Sequence, residues 1–177
     1  MNAPDAVIER ARRIRFVLLD NDGVLTDGRL YQSAGGIDAR AFHTHDGHGI
    51  RMGQAAGLEF GIISGRESAI VRERAEELDF NEVHLGILRK GKCLDEILER
   101  RGFDDSELCF VGDDLIDLPV LRRAGLSVAP QNARPEVKEQ VHWVTPNAGG
   151  DGAVRDLIDL LLRSSGKWDE ITERYFS

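Results

Sequence analysis

Asp20 and Asp22, separated by Asn21 and followed by Gly23, close the apolar run Phe16-Val17-Leu18-Leu19. Such a run has the pattern of a parallel strand buried on both faces. Ligands in open α/β sheets bind at the carboxyl ends of strands, which puts both carboxylates where chemistry is usually done. A core strand gains nothing from ending in a charge cluster, so a metal, a phosphoryl group or both would account for it. Three further polar groups follow apolar runs: Ser64, Lys90, and the cluster Asp113, Asp114 and Asp117. In a parallel sheet these strand ends share one edge, and the groups converge. Carboxylates with a neutral hydroxyl and a lysine suit Mg2+ and a phosphoryl group, because Mg2+ takes hard oxygen ligands and few carboxylates. An aspartate can also attack phosphorus to form an aspartyl-phosphate.

The elements that must position these groups alternate along the chain. An amphipathic segment within Met1 to Arg13 precedes the first strand, and Leu30 to Phe42, broken by Ser33-Ala34-Gly35-Gly36, reads as a β-hairpin. His48 to Ala56 is a helix stopped by Gly57; Phe60 to Ile63 is a strand; Glu67 to Leu78 is an amphipathic helix. Val83 to Leu85, Leu108 to Val111, Leu126 to Ala129 and His142 to Val144 read as strands. Helices are expected at Cys93 to Arg101, Pro119 to Ala124, Val154 to Leu162 and Trp168 to Phe176. This alternation predicts an α/β, Rossmann-like three-layer sandwich with a central parallel sheet.

Composition limits the function classes. With 177 residues the chain is expected to form one domain, 1–177, with a hairpin insert at about 29–43 and a C-terminal tail at about 164–177. A net charge of -8 argues against a nucleic-acid partner, which needs a basic footprint. The apolar runs are too short to cross a bilayer. Neither Cys93 nor Cys109 sits in a metal-ligand spacing, and no leader-like apolar stretch is visible, so a reduced, cytoplasmic chain is expected.

The order Asp20-Asn21-Asp22-Gly23, Ser64-Gly65-Arg66, Lys90 and Gly112-Asp113-Asp114-Leu115-Ile116-Asp117 resembles the four motifs of the haloacid dehalogenase superfamily of phosphatases. The short insert after the first motif, with no room for a cap domain, resembles the capless subgroup. Within that subgroup the chain is similar along nearly its whole length to 3-deoxy-D-manno-octulosonate 8-phosphate phosphatases. The features carrying this are Asp20 to Gly28, Phe42 with Asp46-Gly47-His48-Gly49-Ile50, Gly112 to Pro119, and Gly149 to Arg155.

The resemblance implies that Asp20 is the nucleophile and that Asp22 protonates the leaving alkoxide, then deprotonates the hydrolytic water. It implies Mg2+ held by Asp20, the Asp22 backbone carbonyl and Asp113, with Asp114 holding a metal water and Asp117 orienting the lysine. Ser64 would donate to a phosphoryl oxygen, although it could instead cap the helix from Glu67. Asp117, before Leu118-Pro119, could likewise be a helix N-cap. Lys90 is favoured as the cation over Lys92, which spacing alone leaves open. Arg66, Gly65, His45 and Asp46 are the candidates for contacting substrate, with a solvated Arg66 the competing reading.

The implied reaction is hydrolysis of a sugar-acid phosphomonoester in lipopolysaccharide precursor biosynthesis. A sialic acid-type 9-phosphate is the alternative substrate, and a receiver-like phosphoacceptor domain the alternative class. Asp22, which a store of phosphate would not want, separates the two classes. The resemblance also implies a homotetramer whose hairpins meet at its centre, with the C-terminal segment, or a mobile Gly149-Gly150-Asp151-Gly152, reaching a neighbouring site. His45 stands where the resembled family more often has an arginine or another non-histidine residue, and Asp151 where it commonly has a basic one, so Asp151 is expected to face away from an anionic substrate or to bind another group. The spacing of His43, His45 and His48 raises a zinc reading. Flanking Gly47 and Gly49, and an acidic cluster that already accounts for a metal, argue against it.

Overall fold

The structure, a computed structural model, describes residues 3–32 and 38–176. α1 (Asp5–Ala11) leads into β1 (Phe16–Leu19), followed by the short strands β2 (Tyr31–Gln32) and β3 (Asp38–Ala39). Next come α2 (Thr44–Ala55), β4 (Glu59–Ile63), α3 (Ala69–Glu77), β5 (Glu82–His84) and α4 (Lys90–Arg101). β6 (Leu108–Val111), α5 (Leu118–Leu121), β7 (Leu126–Ala129), α6 (Pro135–Lys138) and β8 (Trp143–Val144) continue the alternation. α7 (Ala153–Ser164) and α8 (Trp168–Thr172) follow.

Six strands form one sheet in the order β5-β4-β1-β6-β7-β8, and every pairing is parallel. The chain builds outward from β1 through β4 and β5, then returns to β1's other side with β6. The strand order therefore reverses between β1 and β6, and a ligand crevice is expected at their carboxyl ends.

Helices cover both faces, which explains why the strands read as continuous apolar runs and not as alternating ones. Val17 and Leu19 of β1 point into a layer shared with α1, α2, α3 and α7. Phe16 and Leu18 point into the opposite layer, against Leu94 and Ile97 of α4 and Val120 of α5. Among the described residues no helix is long and apolar enough to cross a membrane.

β2 and β3 pair antiparallel, Tyr31 with Ala39 and Gln32 with Asp38. The expected turn at Ser33–Gly36 lies outside the described residues. Among the described residues, two pair on each strand.

Two boundaries shift for identifiable reasons, and one helix is new. α2 starts at Thr44 instead of His48 because His43 supplies the N-cap, its Nδ1 accepting from His45 N at 3.2 Å. α3 starts at Ala69 because Ser68 Oγ accepts from Val71 N. Ser64 is thus not the cap of that helix. α6 was not expected; it is one turn started by Pro135.

Candidate active site

Asp20 follows β1 and Asp113 follows β6, so the two carboxylates flank the point where strand order reverses. Together with Asp22, Ser64, Gly65, Arg66 and Asp114 they line a cleft of about 480 Å³. Gly23 allows the close approach of the two loops: it sits at φ +93°, and a Cβ there would lie 2.1 Å from Asp113 Oδ2. The glycine of the first motif is therefore required twice, for its backbone angle and for room.

Lys90 is the first residue of α4, and its ammonium is buried between two carboxylates. Nζ donates to Asp20 Oδ1 at 2.6 Å and to Asp117 Oδ1 at 2.6 Å. Burial alone would lower the lysine pKa, but Asp20 and Asp117 reverse that and hold it raised. Lys92 points outward, 74% exposed, and pairs with Glu96. The fold thus separates two lysines that spacing could not.

Asp117 is fully buried and does not cap α5 with its side chain. Its Oδ2 instead accepts from Asp113 N at 3.0 Å and Asp114 N at 3.2 Å, bending the turn back toward the cleft. Asp114 is exposed, and its Oδ1 accepts from Leu115 N at 2.7 Å.

Carboxylate oxygens of Asp20, Asp113 and Asp117 can lie within 4.8 Å of one another. Asp117 has both oxygens engaged, by Lys90 and by two backbone N–H groups, which leaves Asp20 and Asp113 as the side chains free to take a cation. Burial pushes the Asp20 carboxyl up to about 7, with Lys90 opposing and Asp117 reinforcing the shift. Burial, then Asp20, Asp117 and Asp114, pushes Asp113 up to about 7 as well. Three clustered carboxylates against one ammonium leave an excess of negative charge that a divalent cation offsets, and all-oxygen donors fit Mg2+.

Ser64 directly follows β4, is buried and lines the cleft, and Arg66 N donates to its Oγ at 3.4 Å. Asp22 accepts from Asn21 Nδ2 at 2.7 Å and Arg40 Nη1 at 2.5 Å on Oδ1, and from Arg66 Nε at 3.3 Å on Oδ2. Arg66 is therefore held in the cleft and is not simply solvated.

Asp46 is corrected by the structure. It is buried outside the cleft, and its Oδ1 accepts from Arg155 N at 2.8 Å, in the first turn of α7. Gly152, the N-cap of α7, has no side chain to do this, so Asp46 caps that helix from α2. Its Oδ1 is thereby committed to the helix end and not to the cleft. His45 is exposed and stacks edge-on against His43, and it does not line the cleft either.

The glycine-rich segment is also corrected. Gly149 N donates to Asn132 Oδ1 at 2.7 Å and Gly150 N to Val24 O at 3.0 Å, fastening the segment to the loop after β1. A Cβ on Gly149 would lie 1.8 Å from Gly23 O. Asp151 is exposed, 3.9 Å from His43 Nε2, and does not line the cleft.

Sequence reasoning missed Arg40 and Asn132. Asn132 ties two loops together, since its Nδ2 also donates to Gly23 O at 3.1 Å. Neither residue stands at a motif spacing, and nothing local marks them.

Comparison with known proteins adds the following. A model of the haloacid dehalogenase-like hydrolase family matches residues 86–157. The chain is 41% identical over 164 residues to the 3-deoxy-D-manno-octulosonate 8-phosphate phosphatase of Escherichia coli K12, covering 93% of this chain and 87% of that one. A probable YrbI-family phosphatase structure from Pseudomonas syringae superposes with a TM-score of 0.97 at 38% identity, over 98% of this chain and 99% of that one. The Moraxella catarrhalis 3-deoxy-D-manno-octulosonate 8-phosphate phosphatase, solved with magnesium, phosphate and the sugar acid, gives 0.94 at 30% identity over 97% and 98%.

Proposed function

Because the chain belongs to the 3-deoxy-D-manno-octulosonate 8-phosphate phosphatases of the haloacid dehalogenase-like hydrolases, we propose that it hydrolyses this ester to the free sugar acid and inorganic phosphate. The chemistry rests on one observation above all: buried Lys90 spans Asp20 and Asp117 beside Asp113, at the reversal of strand order. The substrate rests on the relatives.

Asp20 attacks phosphorus, and the bond from phosphorus to the ester oxygen breaks. Asp22 gives its proton to the departing alkoxide, leaving an aspartyl-phosphate on Asp20. Asp22 then takes a proton from water, whose oxygen attacks phosphorus and breaks the bond to Asp20. This returns the Asp20 carboxylate and releases phosphate. Ser64 donates to a phosphoryl oxygen without adding charge, and Lys90 offsets the charge gathering there. Asp117 holds Lys90 in place. The Asp20 and Asp113 carboxylates and the Asp22 backbone carbonyl would hold Mg2+, which would supply positive charge between the anionic ester and the attacking carboxylate. Arg66 and the Gly65 backbone contact the substrate, with the arginine offering a fork for carboxylate or phosphate.

The chain works in this reading as a single domain in the cytoplasm and as a homotetramer. Leu30 and Tyr31, at the start of the hairpin, are 37% and 52% exposed, and neighbouring subunits would cover them. Light scattering that returned a monomer would remove this part of the proposal.

Phosphate release by the purified chain with Mg2+ tests the function. The panel comprises 3-deoxy-octulosonate 8-phosphate, two sialic acid-type 9-phosphates and glucose 6-phosphate. The octulosonate ester should have the highest kcat/KM, and Asp20→Asn should abolish turnover. Equal rates on generic esters would overturn the substrate assignment; a 9-phosphate preference would replace it.

A further inference from the structure

Arg40 lies between β3 and α2, and only 1% of its side chain is exposed. A buried guanidinium is unfavourable unless paired, and this one donates through Nη1 to Asp22 Oδ1 at 2.5 Å. Asn21 Nδ2 donates to the same oxygen at 2.7 Å. Two donors on one oxygen fix the plane of the carboxyl group. The two arginines at Asp22 differ in position: Arg66 lines the cleft and is half exposed, whereas Arg40 does not line it. Oδ1 is thus held by an arginine that does not line the cleft, whereas Oδ2 meets Arg66 Nε, whose residue does, at 3.3 Å.

We propose that Arg40 is a positioning residue for phosphoryl transfer: it grips Asp22 Oδ1 from outside the cleft and so presents Oδ2 to the ester oxygen of the substrate. This rests on the assignment of Asp22 as the proton donor. As Asp20 bonds to phosphorus and the ester bond breaks, the proton on Oδ2 passes to the departing alkoxide. Rate enhancement by a positioned acid falls steeply when the acid is misplaced, because the donor must be within hydrogen-bond reach of the receiving atom. Arginine suits the task better than lysine, since its planar fork is rigid and is less strongly hydrated.

The dependence on leaving group separates this role from a structural one. An alkoxide needs the proton to depart, whereas p-nitrophenolate departs without it. In Arg40→Met, kcat/KM for 3-deoxy-octulosonate 8-phosphate, or for any simple alkyl phosphate, should fall ~10–100-fold. For p-nitrophenyl phosphate it should fall less than about threefold, because that step needs no acid. Arg40→Lys, a milder change, should lie between wild type and Arg40→Met on the alkyl ester. Asp22→Asn serves as the reference and should show the same selective loss.

Parallel loss on both substrates in Arg40→Met and Arg40→Lys would overturn the proposal, as would loss on neither. If Asp22→Asn itself spared the alkyl ester, the proton-donor assignment would fall and take the proposal with it. If Asp22→Asn were selective and the Arg40 variants were not, the proposal alone would fall.

Discussion

Lys90 Nζ sits 2.6 Å from Asp117 Oδ1, with both side chains withdrawn from solvent. The other oxygen of Asp117 holds the backbone of Asp113 and Asp114, so one carboxylate fixes both the lysine and the loop that carries Asp113. Replacing Lys90 with Met should lower kcat by ~100–1,000-fold, the scale for losing a charged transition-state partner. Lys92→Met should change it by less than about twofold, because exposed surface pairs contribute little. Steady-state kinetics on the two variants decides which lysine does the chemistry.

Asp46 predicts a pH signature in stability. Its carboxyl is raised by burial, against the opposing N–H of Arg155, and Oδ2 is buried with no hydrogen-bond partner. A raised acid binds its proton more tightly in the folded chain than in the unfolded one. The stability linked to it is therefore present in acid and is lost as pH rises above about 4 toward the folded-state value. Asp46→Asn cannot ionise, so its melting temperature relative to wild type should improve as pH rises above about 4 and level off once the folded-state carboxyl has ionised. A difference that stays flat across that rise would show that the Asp46 charge is not strained.

Gly149 and Gly91 offer a paired test of close packing. A Cβ at Gly149 meets the Gly23 carbonyl at 1.8 Å, and that backbone cannot swing aside without moving the loop after Asp20. Gly149→Ala should lose at least about 1–3 kcal/mol of stability and most of the phosphatase activity. Gly91, in α4, meets only Pro119 Cβ at 3.4 Å, an ordinary contact. Gly91→Ala should be neutral or stabilising by less than about 1 kcal/mol, since Gly91 lies in the first turn of α4 and alanine is the better helix former. Thermal melts of both variants check the contrast.

Removing the metal should abolish turnover, and restoring Mg2+ should recover it. Mg2+ at about 100 times its dissociation constant should raise stability by about 2.7 kcal/mol, a rise in melting temperature of about 5–10 °C. In Asp113→Asn that rise should vanish, because one of the two available carboxylates is gone. An undiminished rise in that variant would place the cation elsewhere.

Much of the fold was legible because hydrophobic pattern is a local property. Phe16–Leu19, Leu108–Val111 and Leu126–Ala129 appear as strands with the bounds their sequence suggests. Helix starts were less legible, since they depend on which polar side chain turns back onto the backbone. His43 and Ser68 do so, and neither is distinguished in sequence from the other polar residues near it.

The chemistry of the cleft was written in residue types and order: Asp20, Asp22, Ser64, Lys90 and Asp113 all reach it or its buried floor. That follows because parallel strands deliver their carboxyl ends to one edge, so a motif after each strand must meet the others. Only the tertiary structure separated Lys90 from Lys92, turned Asp46 from a substrate contact into the cap of α7, and fastened Gly149-Gly150 to the loop after β1. It alone brought Arg40 onto Asp22. These are pairings across long stretches of chain, decided by packing and by the need of each buried polar group for a partner. A sequence states which groups need partners, whereas the fold decides which partners they find.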